Sequence, residues 1–176
     1  MGSYLNPGNK GFQERLNSEI YVDKTGLIEK TNAVLDTRQK FLCVSRPRRF
    51  GKSMAADMLA AYYERGEDAD LLFRSLKISK AESYRAHLNQ YDVIKVNIQE
   101  FLSMTGSMDE MLSMLKKYLV FDLMEHFDDV RFRDESNLIQ VMKDIYAKTK
   151  RAFVILIDEW DCPVSYTHLR AHETRG

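Results

Sequence analysis

The chain has 176 residues, of which 44% are hydrophobic and 30% are charged, a balance typical of one globular domain with its own core. Basic and acidic residues number 26 each, so the overall charge favours neither nucleic acid nor a membrane surface. The longest apolar runs, such as Phe153 to Ile157, are too short to span a bilayer, and residues 1–10 lack the apolar segment of a signal peptide. The sequence therefore predicts a soluble, cytoplasmic protein with no membrane partner. We expect Cys43 and Cys162 to be buried or free thiols rather than a disulfide.

Strand and helix patterns alternate along the chain. In chain order they are an amphipathic piece from Tyr21 to Lys30, a buried strand from Phe41 to Ser45, a helix from Lys52 to Arg65, a strand from Tyr91 to Ile98, a helix from Met108 to about Phe127, a helix from about Glu135 to Lys148, and a strand from Phe153 to Ile157. The last two helices are predicted to bury Met111, Leu112, Leu115 and Leu119, and Leu138, Ile139, Met142, Ile145 and Tyr146. This alternation predicts an α/β fold with a parallel sheet.

The tripeptide Gly51-Lys52-Ser53 lies between a predicted strand and a predicted helix. In a phosphate-binding loop at such a junction, backbone N–H groups surround the phosphate oxygens and the helix N-terminus adds partial positive charge. Gly51 would let the backbone approach the phosphates, Lys52 would reach the β- and γ-phosphates, and the Ser53 hydroxyl would bind Mg²⁺. The tripeptide also occurs by chance, so a second element of the same site is needed.

The third predicted strand supplies that element, because it ends in Asp158 and Glu159. In P-loop enzymes an acidic residue after a buried strand holds Mg²⁺, and a neighbouring carboxylate can act as general base. We therefore predict that Asp158 holds the metal and that Glu159 polarises the attacking water. The alternative is a solvated strand end with no role.

Three arginines precede the tripeptide: Arg46, which stands where the usual loop has its first glycine, Arg48 and Arg49. They would raise the local positive potential and favour a polyphosphate, although each could instead be a solvated surface charge. The predicted nucleotide-binding segment consists of Arg48, Arg49, Phe50, Gly51, Lys52, Ser53 and Met54, and the predicted ligands are ATP and Mg²⁺.

Four segments occur in this order along the chain: "YVDKTGLIEK" (Tyr21 to Lys30), "SRPRRFGKSM" (Ser45 to Met54), "LLFRSLKI" (Leu71 to Ile78) and "VILIDEWDCP" (Val154 to Pro163). Together they resemble the prokaryotic AAA-ATPase-like family of predicted ATPases. In that family an arginine is ordinary at the place of Arg46, whereas Trp160 stands where tyrosine is frequent. The position of Asp23-Lys24 before the first strand suggests a role near the adenine.

The resemblance implies a three-layer P-loop NTPase fold with Lys52 and Ser53 at the phosphates and metal, Asp158 at the metal and Glu159 as base. It also implies the strand order 5-1-4-3-2, whose fourth strand would follow the end of this chain. Residues 1–163 would then form an incomplete ATPase domain, and we expect the isolated chain to be marginally stable because the sheet lacks a central member. Residues 164–176, from Val164 to Gly176, resemble the translated adapter-like tail of unrelated gene fragments and are predicted to be foreign to the fold.

The first functional prediction is a Mg²⁺-dependent ATPase domain that switches or drives a partner domain. The family resemblance implies a C-terminal nuclease-like domain of the PD-(D/E)XK type, through which the protein would act on nucleic acid, and an oligomer is compatible with it. Two alternatives remain: a nucleotide-binding switch without appreciable turnover, and a small-molecule kinase with the same loop.

Overall fold

The fold, described by a computed structural model for residues 4–35, 37–44 and 51–160, combines helices with a small sheet. Its helices are α1 (Lys10–Leu16), α2 (Gly26–Leu35), α3 (Lys52–Tyr63), α4 (Asp70–Phe73), a 3-10 helix (Lys77–Lys80), α5 (Tyr84–His87), α6 (Ile98–Ser103), α7 (Met108–His126) and α8 (Leu138–Thr149). The strands are β1 (Asp92–Asn97) and β2 (Phe153–Asp158), which pair in a two-stranded parallel sheet. The predicted α/β class and parallel sheet are thus confirmed at this coarse level.

The prediction of a buried strand from Phe41 to Ser45 is wrong over the residues that the structure describes. Residues 41–44 form no strand, and 87% of the Phe41 surface is exposed. Ser45 lies outside the described residues. An apolar run indicates β-propensity, but a strand also needs a neighbouring strand to pair with. In the described part of the chain the sheet consists of β1 and β2, and residues 41–44 are not part of it. Cys43 in this run is a free, exposed cysteine, and Cys162 lies outside the described residues, as does the whole predicted tail.

Within the described residues the chain divides into two compact units. The first consists of residues 6–94 and 151–156, and the second of residues 4–5, 95–150 and 157–160. Throughout both units, each described helix is too short or too polar to cross a lipid bilayer.

The core of the first unit is formed around the second half of α3. From Met58 to Tyr63 every residue of the helix is buried, because α1 covers one side and aromatic residues from later segments cover the other. Phe12 stacks on Phe73 with ring centroids 4.8 Å apart, and Tyr62 meets Phe73 edge-on at 5.4 Å. The Tyr62 hydroxyl donates to the Tyr84 carbonyl at 2.7 Å, so this buried polar group is satisfied. The predicted helix from Lys52 is therefore confirmed, with its end two residues earlier than expected.

A fully buried carboxylate, that of Asp92, marks the start of β1. Arg65, just beyond α3, donates to it from Nε at 2.6 Å, and Arg151, just before β2, donates from Nε at 3.1 Å. The Asn6 side-chain amide adds a hydrogen bond at 3.3 Å. Two guanidinium groups and an amide thus compensate the loss of water around one buried charge.

The second unit is formed mainly by α7 and α8, which pack against each other. The Ser107 hydroxyl caps α7 by accepting from the Glu110 N–H at 3.2 Å, as the capping box predicts. Asn137 caps α8 by accepting from the N–H groups of Ile139 and Gln140. The carboxylate of Asp144 accepts two hydrogen bonds from Arg133, which fixes the segment before α8 against the helix.

The predicted inner faces of these helices are only partly correct. Met111, Leu119 and Ile145 are buried as expected, but Leu112 is 42% exposed and Ile139 is 65% exposed. Tyr146, which was predicted to be buried, is exposed, and Val141, which was not among the predicted residues, is fully buried. A helical period identifies a stripe of apolar residues, but which edge of the stripe is covered depends on the neighbouring helix.

Replacing Asp92 by asparagine should destabilise the protein by about 3 kcal/mol, because Arg65 and Arg151 would lose their charged partner. This value is at the low end of the destabilisation that follows when a buried ion pair is broken. The reason is that the side chains of Arg65 and Arg151 are 34% and 33% exposed and stay partly hydrated. Urea denaturation measures the change, with Asp128→Asn, which removes the same charge at an exposed position, as control. Equal stabilities of the two variants would contradict this account.

Glu64, the residue after α3, is a second buried carboxylate with a different environment. Its Oε2 accepts the Gly8 N–H at 2.6 Å, whereas Oε1 has no hydrogen-bond partner among the described residues. Burial raises the pKa of the Glu64 carboxyl above its ordinary 4.5; the Gly8 N–H acts in the opposite direction, and the nearby Glu67 adds to the rise. Ionised Glu64 is therefore unfavourable in the folded protein.

The raised pKa of Glu64 predicts a pH dependence of stability. The contribution of the protonated Glu64 carboxyl to the free energy of unfolding is fully present below pH 4.5. It is lost as the pH rises through the higher pKa of the folded state. Glu64→Gln should therefore be more stable than the native chain by about 1 kcal/mol near neutral pH, and the difference should shrink toward pH 4. Denaturation from about pH 4 to pH 8 tests this, with the exposed Glu29→Gln as control. A difference that did not vary with pH would exclude titration of Glu64 as its cause.

Candidate phosphate-binding site

The residues of the predicted phosphate loop that the structure describes lie at the N-terminus of α3. Gly51 occupies the N-cap position with φ +81° and ψ 28°, a left-handed conformation that strains any residue with a side chain. Its carbonyl accepts the Ala55 N–H at 3.0 Å, and Lys52 is the first residue of the helix. Ser53 is exposed, whereas Lys52 and Met54 are half-buried. The loop glycine, lysine and serine therefore stand at the N-terminus of a helix, the end at which helices favour anions.

The electrostatics of this helix end favour an anion. The glycine provides no side-chain cap, and the first turn of α3 contains no acidic residue. The N–H groups of a first helical turn have no intrahelical partner and carry partial positive charge. Lys52 adds a full positive charge at the same end.

Lys24 reaches this helix end from a distant part of the sequence. A Cβ atom placed on Gly51 would lie 3.3 Å from the Nζ of Lys24 and equally close to the Cε of Met54. Lys24 itself is exposed. The structure therefore places two lysines of the sequence, 28 residues apart, at the start of α3. A side chain at position 51 would disturb both neighbours as well as the backbone.

The turn that carries Lys24 is held by its two neighbours. The Asp23 carboxylate accepts the Thr25 hydroxyl at 2.6 Å, the Thr25 N–H at 2.9 Å and the Lys77 N–H at 2.8 Å. Thr25 is fully buried, and its hydroxyl accepts the Ile78 N–H at 3.1 Å. Burial acts to raise the pKa of Asp23, but these donated hydrogen bonds outweigh it and lower the pKa below its ordinary value. An ionised Asp23 thus ties the turn to the 3-10 helix.

The predicted metal ligand and the predicted general base, Asp158 and Glu159, lie at the carboxyl end of β2. Asp158 is the last residue of the strand and is buried, and its Oδ1 accepts the N–H of Glu159 at 2.9 Å. Glu159 has φ +52°, which a residue with a side chain adopts only at some cost, and is half-buried. The strand and its acidic end are confirmed as structural features, and the roles of both carboxylates remain predictions.

The other predicted nucleotide-binding residues, Arg48, Arg49 and Phe50, lie outside the described residues, as does Arg46. Gly51 to Met54 belong to the first unit, and Asp158 and Glu159 belong to the second. Ser53 and Asp158 are oxygen donors of the kind that Mg²⁺ prefers. Among residues 4–35, 37–44 and 51–160 there is no cluster of three or more histidine, cysteine or acidic side chains arranged for a metal.

The sequence patterns predict the tripeptide and the acidic strand end but not the position of Lys24. The Asp-x-Thr pattern at Asp23 is a local signal for a hydrogen-bonded turn ahead of a helix. It does not indicate what the intervening lysine approaches, because the contact with Gly51 depends on how α2 and α3 are arranged in the first unit. The suggested place near the adenine is also untested by the described geometry.

Comparisons with known proteins bear on the whole chain. A family model described as "Predicted AAA-ATPase" matches residues 8–175. A relative from Azotobacter chroococcum mcd 1, named "Uncharacterized protein in vnfD 5'region", is 26% identical over 149 residues, which cover 82% of this chain and 26% of the relative. The chain thus spans about a quarter of that relative's length. No solved structure matches. Because the family model covers nearly the whole sequence, the chain belongs to the predicted AAA-ATPase family.

Proposed function

We propose that this chain binds Mg²⁺·ATP at the N-terminus of α3 and hydrolyses it, as the ATPase part of a longer protein. The observation that carries the proposal is Gly51 in a left-handed conformation ahead of Lys52 and Ser53, at a helix end without acidic residues, in a chain of a predicted ATPase family. A glycine with positive φ and a helix N-terminus with a lysine are what a phosphate cradle requires.

In this proposal each residue has one task. The N–H groups of the first turn of α3 and the Lys52 ammonium bind the phosphates and offset the charge that develops during transfer. The Ser53 hydroxyl and the Asp158 carboxylate would hold Mg²⁺, which neutralises phosphate charge when bound. Glu159 orients and deprotonates the attacking water. The hydrogen bond from the Glu159 N–H to the Asp158 carboxylate helps to keep the backbone of Glu159 in place.

The activity that nucleotide hydrolysis would drive belongs, in this proposal, to a further part of a longer chain. About three quarters of the Azotobacter relative lies outside the matched part, which is room for at least one further domain. We propose that nucleotide binding and hydrolysis switch or drive that domain, and that the domain acts on nucleic acid. A non-hydrolysing switch and a small-molecule kinase are the other outcomes that the experiments below distinguish.

The first test is binding of Mg²⁺·ATP to the native chain and to Lys52→Ala by calorimetry. The variant should bind at least about tenfold more weakly, because a charge-assisted contact with the phosphates is lost. Lys30→Ala, which removes the same charge from an exposed position of α2, should bind like the native chain. Equal affinities of all three proteins, or no binding by the native chain, would refute the proposed site.

The second test separates hydrolysis from binding through Glu159→Gln. The amide keeps the size of the side chain but cannot accept the proton of water, so phosphate release should fall about 100-fold or more while ATP affinity is unchanged. The exposed Glu135→Gln serves as control. Saturable binding without release of phosphate by the native chain would identify a switch, and transfer of phosphate to an added small molecule would identify a kinase.

A further inference from the structure

The ammonium group of Lys24 is a second positive charge at the phosphate site, and nothing in the phosphate-loop pattern predicts it. The Nζ atom lies 3.3 Å from the point that a Cβ of Gly51 would occupy, so it faces the residue that must admit a phosphate to the helix end. Lys24 is exposed, so an anion from solvent can reach it.

The ammonium group of Lys24 adds positive charge at the N-terminus of α3. A cation close to a helix N-terminus is repelled by the partial positive charge of the first N–H groups. Lys52 stands at the same end, and the first turn of α3 contains no acidic residue. A polyphosphate would convert this repulsion into attraction, because it brings several negative charges to the point where the positive charges converge.

The turn around Lys24 is also rigidly placed. Asp23 accepts three hydrogen bonds and Thr25 is fully buried, with the 3-10 helix supplying two of the donors through Lys77 and Ile78. A cation presented by a fixed backbone loses less conformational freedom on binding than one on a mobile loop. The flanking residues therefore position Lys24 for binding rather than merely exposing it.

We propose that Lys24 binds the β- and γ-phosphates of the nucleotide together with Lys52 and so makes the site selective for nucleoside di- and triphosphates over monophosphates. The inference rests on the proposed nucleotide site at α3. It assigns Lys24 to the phosphates and not to the adenine. In its absence the loop would still bind nucleotide, but with less discrimination by phosphate number.

The test compares the native chain with Lys24→Met, which keeps the aliphatic part of the side chain and removes the charge. Affinities for Mg²⁺·ATP, ADP and AMP are measured by calorimetry. Lys24→Met should weaken binding of ATP and ADP about tenfold and change binding of AMP much less. Its affinity for ATP should also fall less steeply with added salt, and Lys24→Arg should restore most of the loss.

Two further variants separate this inference from the proposed function. Lys30→Met removes the same charge from α2 and should behave like the native chain, whereas Lys52→Ala should bind ATP at least about tenfold more weakly. Far-ultraviolet circular dichroism checks that each variant is folded. If Lys52→Ala binds ATP more weakly but Lys24→Met has the same nucleotide affinities as Lys30→Met, the role of Lys24 is refuted and the nucleotide site stands. A native chain that binds none of the nucleotides would refute both, and an equal loss for ATP and AMP would refute the selectivity.

Discussion

Asp92 holds together the segments on which the first unit depends. Its carboxylate is fully buried, so it requires partners, and these come from three places in the sequence: Arg65 after α3, Arg151 before β2 and Asn6 near the start. The strand that begins at Asp92 is thereby tied both to the end of the helix that starts at Lys52 and to the entry of its partner strand. We infer that this buried charge favours the arrangement in which the three segments meet, because moving any of them away removes a hydrogen-bond partner from the carboxylate.

Left-handed backbone occurs at both predicted motifs, the phosphate loop and the acidic strand end. Gly51 has φ +81°, which glycine adopts without strain, whereas Glu159 has φ +52° and bears a side chain. The N–H of Glu159 donates to Asp158, a local bond that offsets part of the cost. Strained residues persist where the surrounding structure holds them, and they are concentrated at functional sites. This agrees with the proposed role of Glu159, because a carboxylate that orients water must itself be fixed.

Charge is distributed unevenly although the chain is neutral overall. Three of the described acidic groups are structural acceptors: Asp23 fixes a turn, Asp92 joins segments, and Asp144 binds Arg133. Lys24 and Lys52, by contrast, stand at a helix end whose own polarity is positive. A protein with no net charge can therefore still present a local site for a polyphosphate. Composition excluded a general attraction to anions, but it could not exclude a local attraction at the N-terminus of α3.

The sequence by itself determined the elements whose signals are local: α3 after Gly51, the capped α7, and the two strands that end at Asn97 and Asp158. It also suggested the candidate chemistry, because a Gly-Lys-Ser turn and an acidic strand end in the same chain are together typical of a phosphate- and metal-binding site. Only the tertiary structure decided which apolar stretches are covered. Phe41 is exposed because strand pairing is non-local, and Ile139 is exposed because its neighbour covers the adjacent edge of the helix. The approach of Lys24 to Gly51 was also decided by the tertiary structure, since it brings the turn before α2 to the N-cap of α3, and no local pattern specifies how these two segments pack.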